Sequence, residues 1–193
     1  MMNNPIEQFL SWWQQAKAQP NLKQRSAVCV STIDEQGFPC GRFVDLKAVS
    51  DAGFTFCTHL GSQKGQDLRR NPKVAMTAWW DALGYQVRVK GLAYEISRAD
   101  ALRYWQSRSH DAQLTTLVCQ QSQPLVSMQA VTSKLETLGN DFQAQTIPLP
   151  EDWGGFVIQP LSIEFLTFKE NRLHERELYQ HENGAWCKTQ LQP

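Results

Sequence analysis

The hydrophobic pattern changes period early in this chain, and that change limits the fold more than any single residue does. "NNPIEQFLSWWQQAKAQP" places Phe9, Leu10, Trp13 and Ala16 at helical spacing, with Asn4 able to cap, Pro5 suited to the first turn and Pro20 as a stop. The spacing predicts an opening helix within residues 1–20. From Ser26 the period is two. "SAVCVSTI", "FPCGRFVDLKAV", "GFTFCTH", "KVAMTAWW" and "YQVRVKGLAYEI" are rich in Val, Phe, Thr and Trp, as half-buried strands are. The turn signals "DEQG", "SDAG", "NP" and "DALG" separate them. Such short connections join antiparallel neighbours, because a parallel pair needs a long crossover.

One short helix breaks the series: "GSQKGQDLRRNP" has Ser62 at the N-cap position and ends before Pro72. After the fifth strand, Ser97 and Asp100 form an S-x-x-D box opening a helix through about Arg108. A further helix is expected from about Ser127 to Phe142, then the loop "IPLPEDWGG". The strands "GFVIQPLSIEFLTF" and "HERELYQ" lead to Asn183-Gly184, the signal of a type I′ hairpin. No repeat, low-complexity tract or linker divides the chain. The pattern predicts one domain over residues 1–193, a closed or nearly closed antiparallel β-barrel of about seven strands decorated by helices.

Lys+Arg equals Asp+Glu at 19 each, so no bulk field draws the chain to nucleic acid or an anionic membrane. An anion site must be a local cluster. The five cysteines are widely spaced and form no C-x-x-C pair, which fits reduced thiols in a cytoplasmic protein. The start lacks a basic stretch followed by an apolar run, so export is not expected. His59, His110, His174 and His181 are scattered without an H-E-x-x-H pattern, and no G-x-S-x-G occurs, so neither a metal site nor hydrolase chemistry is expected.

Several polar groups stand out against that background. In "GRFVDLK", Arg42 and Lys47 are an odd number of residues apart, which puts them on opposite faces of a regular strand unless a bulge re-aims one. They would then serve two different groups, though an edge strand with solvated charges explains them as well. In "THLGSQKGQDL", a helix start offers free backbone N–H groups beside Lys64, which suits a phosphate; plain capping explains the same residues. Tyr104 and Arg108 are four apart on a predicted helix, as a phosphate clamp or as a surface stack. Gln121 and Ser122 lie in a polar loop, and Gln86 interrupts an apolar strand; amides can read the edge of a heteroaromatic ring. In "NRLHERELY", a strand would align Arg172, His174 and Arg176 on one face, a row of charge that only something negative opposite would stabilise.

These elements, taken in order with "PLPEDWGGFVIQP" and the ending "TQLQP", resemble the pyridoxamine 5′-phosphate oxidase family from about Arg25 to the C-terminus. The resemblance implies an antiparallel FMN-binding split β-barrel with flanking helices, and a homodimer that binds FMN at the subunit interface. It implies oxidation of pyridoxine or pyridoxamine 5′-phosphate to pyridoxal 5′-phosphate, with oxygen as acceptor and hydrogen peroxide as product. By position, Arg42, Thr58, Lys64, Gln86, Gln121, Ser122 and Arg176 match cofactor contacts. Lys47, Tyr104 and Arg108 match the clamp on the substrate phosphate, with Arg172 and His174 as the catalytic pair over the substrate ring.

The sequence departs from the family pattern at four places: Asp45 for an apolar residue, Gln63 for Arg, Ala112 for Ser and Leu166 for Trp. Gln63 removes a charge beside Lys64, Ala112 a hydroxyl donor, and Leu166 an aromatic wall. "THLGSQKG", "RLHER" and the "LQP" ending also resemble the flavin oxidases of phenazine biosynthesis. An oxidase of another cyclic substrate, or a flavin- or pyridoxal-phosphate-binding protein without turnover, are the alternatives.

Overall fold

The computed structural model describes residues 4–143 and 145–193, so residues 1–3 of the expected opening helix lie outside it. Helix α1 (Pro5–Ala18) starts where Asn4 accepts a hydrogen bond from the Ile6 N–H at 2.9 Å. Its buried face is Ile6, Phe9, Trp13 and Ala16. Leu10 is not part of that stripe, being 38% exposed, because at about 100° per residue the buried set is centred between Trp13 and Phe9 and Leu10 falls at its edge.

Eight strands follow the alternation: β1 (Ala27–Ile33), β2 (Pro39–Ser50), β3 (Gly53–His59), β4 (Lys73–Trp80), β5 (Tyr85–Glu95), β6 (Trp153–Thr167), β7 (Glu175–Glu182) and β8 (Ala185–Leu191). All pairs are antiparallel, in the order β3-β2-β1-β4-β5-β6-β7-β8. A further pairing of β3 with β6 closes the first six into a barrel. The long β6 makes this possible, pairing with β3 at its start and with β7 near its end. It bends at a bulge opposite Lys90 and Gly91, where a Cβ on Gly91 would stand 2.1 Å from the Gln159 carbonyl oxygen. This is the split β-barrel expected from the resemblance. Asn183 and Gly184 both take positive φ, 51° and 83°, as the type I′ hairpin between β7 and β8 requires.

Inward-facing residues of the six barrel strands meet inside it, among them Val30, Leu46, Phe56, Met76, Val89, Phe156 and Ile163. Helix α1 plugs one end: Phe9 is fully buried, edge-on to Phe54 with centroids 4.8 Å apart and tilted against Trp80. Burying one such ring contributes roughly 1.5–3 kcal/mol. A smaller core of Trp105, Leu114, Ile147 and Trp153 lies under α3 (Arg98–Gln106), α4 (His110–Val118) and α5 (Met128–Asp141). Helix α3 ends earlier than its sequence suggests, with Ser107 as C-cap and Arg108 already in a turn. Helix α4 was not expected. Its cap, Ser109 Oγ accepting from the Ala112 N–H, lacks the acidic residue that marks α3.

Candidate active site

Helix α2 (Gln63–Arg70) begins against the end of β3, and its seating there depends on a glycine: a Cβ on Gly65 would stand 2.2 Å from the Leu60 carbonyl oxygen. Ser62 is the N-cap by backbone, but its hydroxyl makes no capping bond. It donates to the His59 carbonyl at 2.7 Å and accepts from the Lys64 ammonium at 3.3 Å. Lys64 also donates to Thr58 Oγ1 at 3.1 Å, and Thr58 donates to Gln121 Oε1 at 3.1 Å. Ser122, at φ 72°, turns the loop after α4 over the start of α2, where its hydroxyl accepts from the Gln63 N–H at 3.3 Å.

Arg42 reaches the same place from β2. Its guanidinium donates to Thr32 Oγ1 at 2.7 Å and lies 3.6 Å from Asp67, a carboxylate with no exposed surface. Asp67 is further bonded by Thr32 at 2.7 Å and by Gln63 at 2.8 Å. The Gln63 side chain thus turns back onto the protein. Lys64, only 6% exposed, has no carboxylate partner among the described residues. Burial first, and the Arg42 charge second, lower its pKa from 10.5 to about 8.

These groups line one cleft of about 600 Å³, which holds Arg42, Thr58, Lys64, Arg108, Gln121 and Ser122 together. Arg108 enters from the turn after α3. It donates to the Ala112 carbonyl at 2.9 Å and to Thr116 Oγ1 at 3.0 Å, and its guanidinium lies 5.2 Å from the Trp153 ring centroid. Its buried Nε has no partner among the described residues, and burial lowers the pKa of the guanidinium. Cys57 shares the wall; burial pushes its thiol up to about 11, against the pull of Lys47 and Arg108. Lys47 sits at a register shift between Leu46 and Ala48, in an ion pair with Asp45 at 2.6 Å. Lys47 thus sits at a bulge of the kind that re-aims a side chain, so the opposite-face argument for a regular strand does not govern it.

Other expected residues lie elsewhere. Tyr104 does not stack with Arg108, since α3 ends before that residue; Arg103 lies over its ring at 5.1 Å instead. Arg172, His174 and Arg176 do not form one strand face. Arg172 has φ 66° in a turn, His174 precedes the strand, and only Arg176 belongs to β7. His174 stacks on Phe168 at 4.7 Å, and its Nδ1 accepts from the Lys169 N–H at 3.1 Å, which leaves Nε2 as the ring atom available to a ligand. Gln86, Leu166 and Arg176 stand in register across β5, β6 and β7, on the face that also carries the half-exposed Trp79. Arg176 and Arg88 both pair with Glu164.

Three contributors were missed in the sequence. Asp67 anchors Arg42, and only its spacing on α2 with Lys64 and Leu68 marked it as facing inward. His59 bridges Asp152 at 3.2 Å and the Thr116 carbonyl at 3.1 Å. Trp153 looked like part of a loop, yet it begins β6 and walls the cleft. Among the described residues no group of three His, Cys, Asp or Glu side chains is placed to hold a metal, and no helix is long and apolar enough to cross a membrane.

Residues 14–140 match the model of the pyridoxamine 5′-phosphate oxidase family, and residues 153–193 match that of the pyridoxine 5′-phosphate oxidase C-terminal dimerisation region. The chain is 40% identical over 190 residues to the pyridoxine/pyridoxamine 5′-phosphate oxidase of Shewanella sp. (strain W3-18-1), covering 98% of this chain and 89% of that one. It is 39% identical over 191 residues to pyridoxine/pyridoxamine 5′-phosphate oxidase 2 of Hydrogenovibrio crunogenus, covering 99% and 89%. Among solved structures, PhzG from Burkholderia lata 383, in complex with tetrahydrophenazine-1-carboxylic acid, superposes with a TM-score of 0.93 at 26% identity, covering 99% of this chain and 93% of that one. A pyridoxamine 5′-phosphate oxidase-related, FMN-binding protein from Nostoc punctiforme PCC 73102 shares the fold, with a TM-score of 0.81 at 15% identity and full coverage of both chains.

Proposed function

The chain belongs to the pyridoxamine 5′-phosphate oxidase family, and from that premise we propose that it is an FMN-dependent oxidase of pyridoxine or pyridoxamine 5′-phosphate, working in the cytoplasm as a homodimer. The observation that carries this reading is Lys64, a buried ammonium beside Arg42, with hydroxyl partners but no carboxylate among the described residues. A cation kept there at a cost in desolvation makes sense when an anion arrives to share it. The first turn of α2 adds backbone N–H groups and the positive end of the helix dipole. The donor set therefore fits the phosphate of FMN.

When bound, FMN supplies the hydride acceptor and, through oxygen, the route to hydrogen peroxide. The residues of this chain bind and orient. Arg42, Lys64 and Ser122 hold the cofactor phosphate; Thr58 donates its hydrogen bond to Gln121 and accepts from Lys64, which orients the ammonium. Lys47 and Arg108 take the anionic arm of the substrate; Tyr104, on α3, does not line the cleft. Gln86, Arg172, His174 and Arg176 do not line the cleft of their own chain. They complete it from a second copy, a reading that the dimerisation-region match supports. In that arrangement His174 offers Nε2 and Arg172 a guanidinium to the substrate ring, while Gln86 and Arg176 meet the flavin.

A second reading, oxidation of a different cyclic acid, is favoured by the close superposition on the Burkholderia protein and by Asp45 beside Lys47. Two measurements decide. Purified protein should be yellow and release FMN on denaturation; a colourless protein that FMN does not stabilise contradicts every flavin reading. Anaerobic mixing with pyridoxamine 5′-phosphate should bleach the flavin. A bound flavin that stays yellow contradicts the vitamin-phosphate substrate and favours the second reading or binding without turnover.

A further inference from the structure

Two cations at or beside the cleft, Arg42 and Lys47, each have one acid nearby, and the two acids are placed differently. Asp67 has no exposed surface and is bonded by Thr32, Gln63 and Arg42, so its charge serves the protein. Asp45 lines the cleft with its side chain 61% exposed, and its only side-chain partner among the described residues is Lys47. Asp45, Cys57 and Arg108 line the same cleft, and Lys47 is held against Asp45 at 2.6 Å at its margin. A ligand arm bound by Lys47 and Arg108 therefore sits beside a fixed negative charge.

We infer that Asp45 is a specificity-determining residue that filters ligands by charge, disfavouring a doubly charged phosphate arm relative to a singly charged carboxylate arm at the Lys47–Arg108 subsite. This rests on the reading of that subsite as the one for the substrate's anionic arm. Two physical points support it. Coulomb repulsion scales with the product of charges, so Asp45 disfavours a dianion twice as strongly, in free energy, as a monoanion at the same place. In addition, a ligand at Lys47 shares its ammonium with Asp45, whereas Arg108 has no carboxylate partner among the described residues. The cleft thereby accepts ring carboxylates as well as phosphate esters, which widens its range without a change of shape.

The test is calorimetric titration of the FMN-loaded protein and its Asp45→Asn variant with pyridoxine 5′-phosphate and with the same ring bearing a carboxylate on that arm. The substitution should tighten the phosphate ester about tenfold and the carboxylate only about threefold, a gain in affinity that fades at high salt. Equal gains for both ligands, no gain, or a loss would each overturn the inference. Binding is read independently of turnover. If neither protein oxidises pyridoxamine 5′-phosphate but the unequal gains appear, the filter stands and the oxidase reading fails. If turnover occurs without unequal gains, the filter fails and the oxidase reading stands.

Discussion

Two cationic regions of this barrel handle their charge in opposite ways. Along β5 to β7, Arg88 and Arg176 both pair with Glu164, which hydrogen-bonds them strongly enough to lower its carboxyl pKa despite burial. At the cleft, Lys64 and Arg108 are buried to a similar or greater degree and have no carboxylate of their own among the described residues. The first region is stable as it stands. The second spends desolvation energy and leaves donors open, which is the pattern of a site prepared for an anion.

The comparison breaks most visibly at the residue that anchors the cleft. Replacing Asp67 with Asn should strand Arg42 beside Lys64 and cost about 3 kcal/mol of stability, measured by urea unfolding, because it breaks a buried charge pair. Lys64→Met should do the reverse for stability. It removes a buried uncompensated ammonium, so the FMN-free protein should be no less stable, while FMN affinity falls about 30-fold.

Glu164→Gln sharpens the contrast, because its charge is already paired. The loss should be about 1–2 kcal/mol at neutral pH. A carboxylate with a lowered folded pKa stabilises above its unfolded value near 4.5 and loses that contribution as pH falls through the folded pKa. The acid limb of the stability profile below pH 4.5 should therefore be shallower in the variant.

The smallest effect is protonic. Lys64 titrates near pH 8 in the ligand-free fold and near 10.5 when unfolded, so in that window the unfolded chain binds more protons and this group's contribution rises with pH. An arriving phosphate favours the charged form, so binding of FMN near pH 8.5 should take up a fraction of a proton. Titrations in two buffers of different ionisation enthalpy should show it, and Lys64→Met should abolish it.

The barrel was legible because alternation is a local signal: each strand from Ala27 to Glu95 carries its own pattern and its own turn. Helix α4 was less so, since its cap lacks an acidic partner and its burial falls on Leu114 and Thr116. The cleft cations Arg42, Lys64 and Arg108 were found as residue types beside helix starts and strand positions. Their carboxylate accounting was not, because Asp67 and Glu164 meet their partners only after folding. The row of Arg172, His174 and Arg176 misled for a related reason. Strand alternation was assumed one turn too early, and the positive φ of Arg172 breaks it.

The most direct test compares FMN with riboflavin, which differs by the phosphate alone, as ligands of the FMN-free protein. If the cleft is held open for a phosphate by Lys64 and Arg42, FMN should bind about 100-fold more tightly, the worth of two charge-assisted hydrogen bonds, and Lys64→Met should shrink that gap to about threefold. Equal affinity for the two flavins in the wild-type protein would contradict the account.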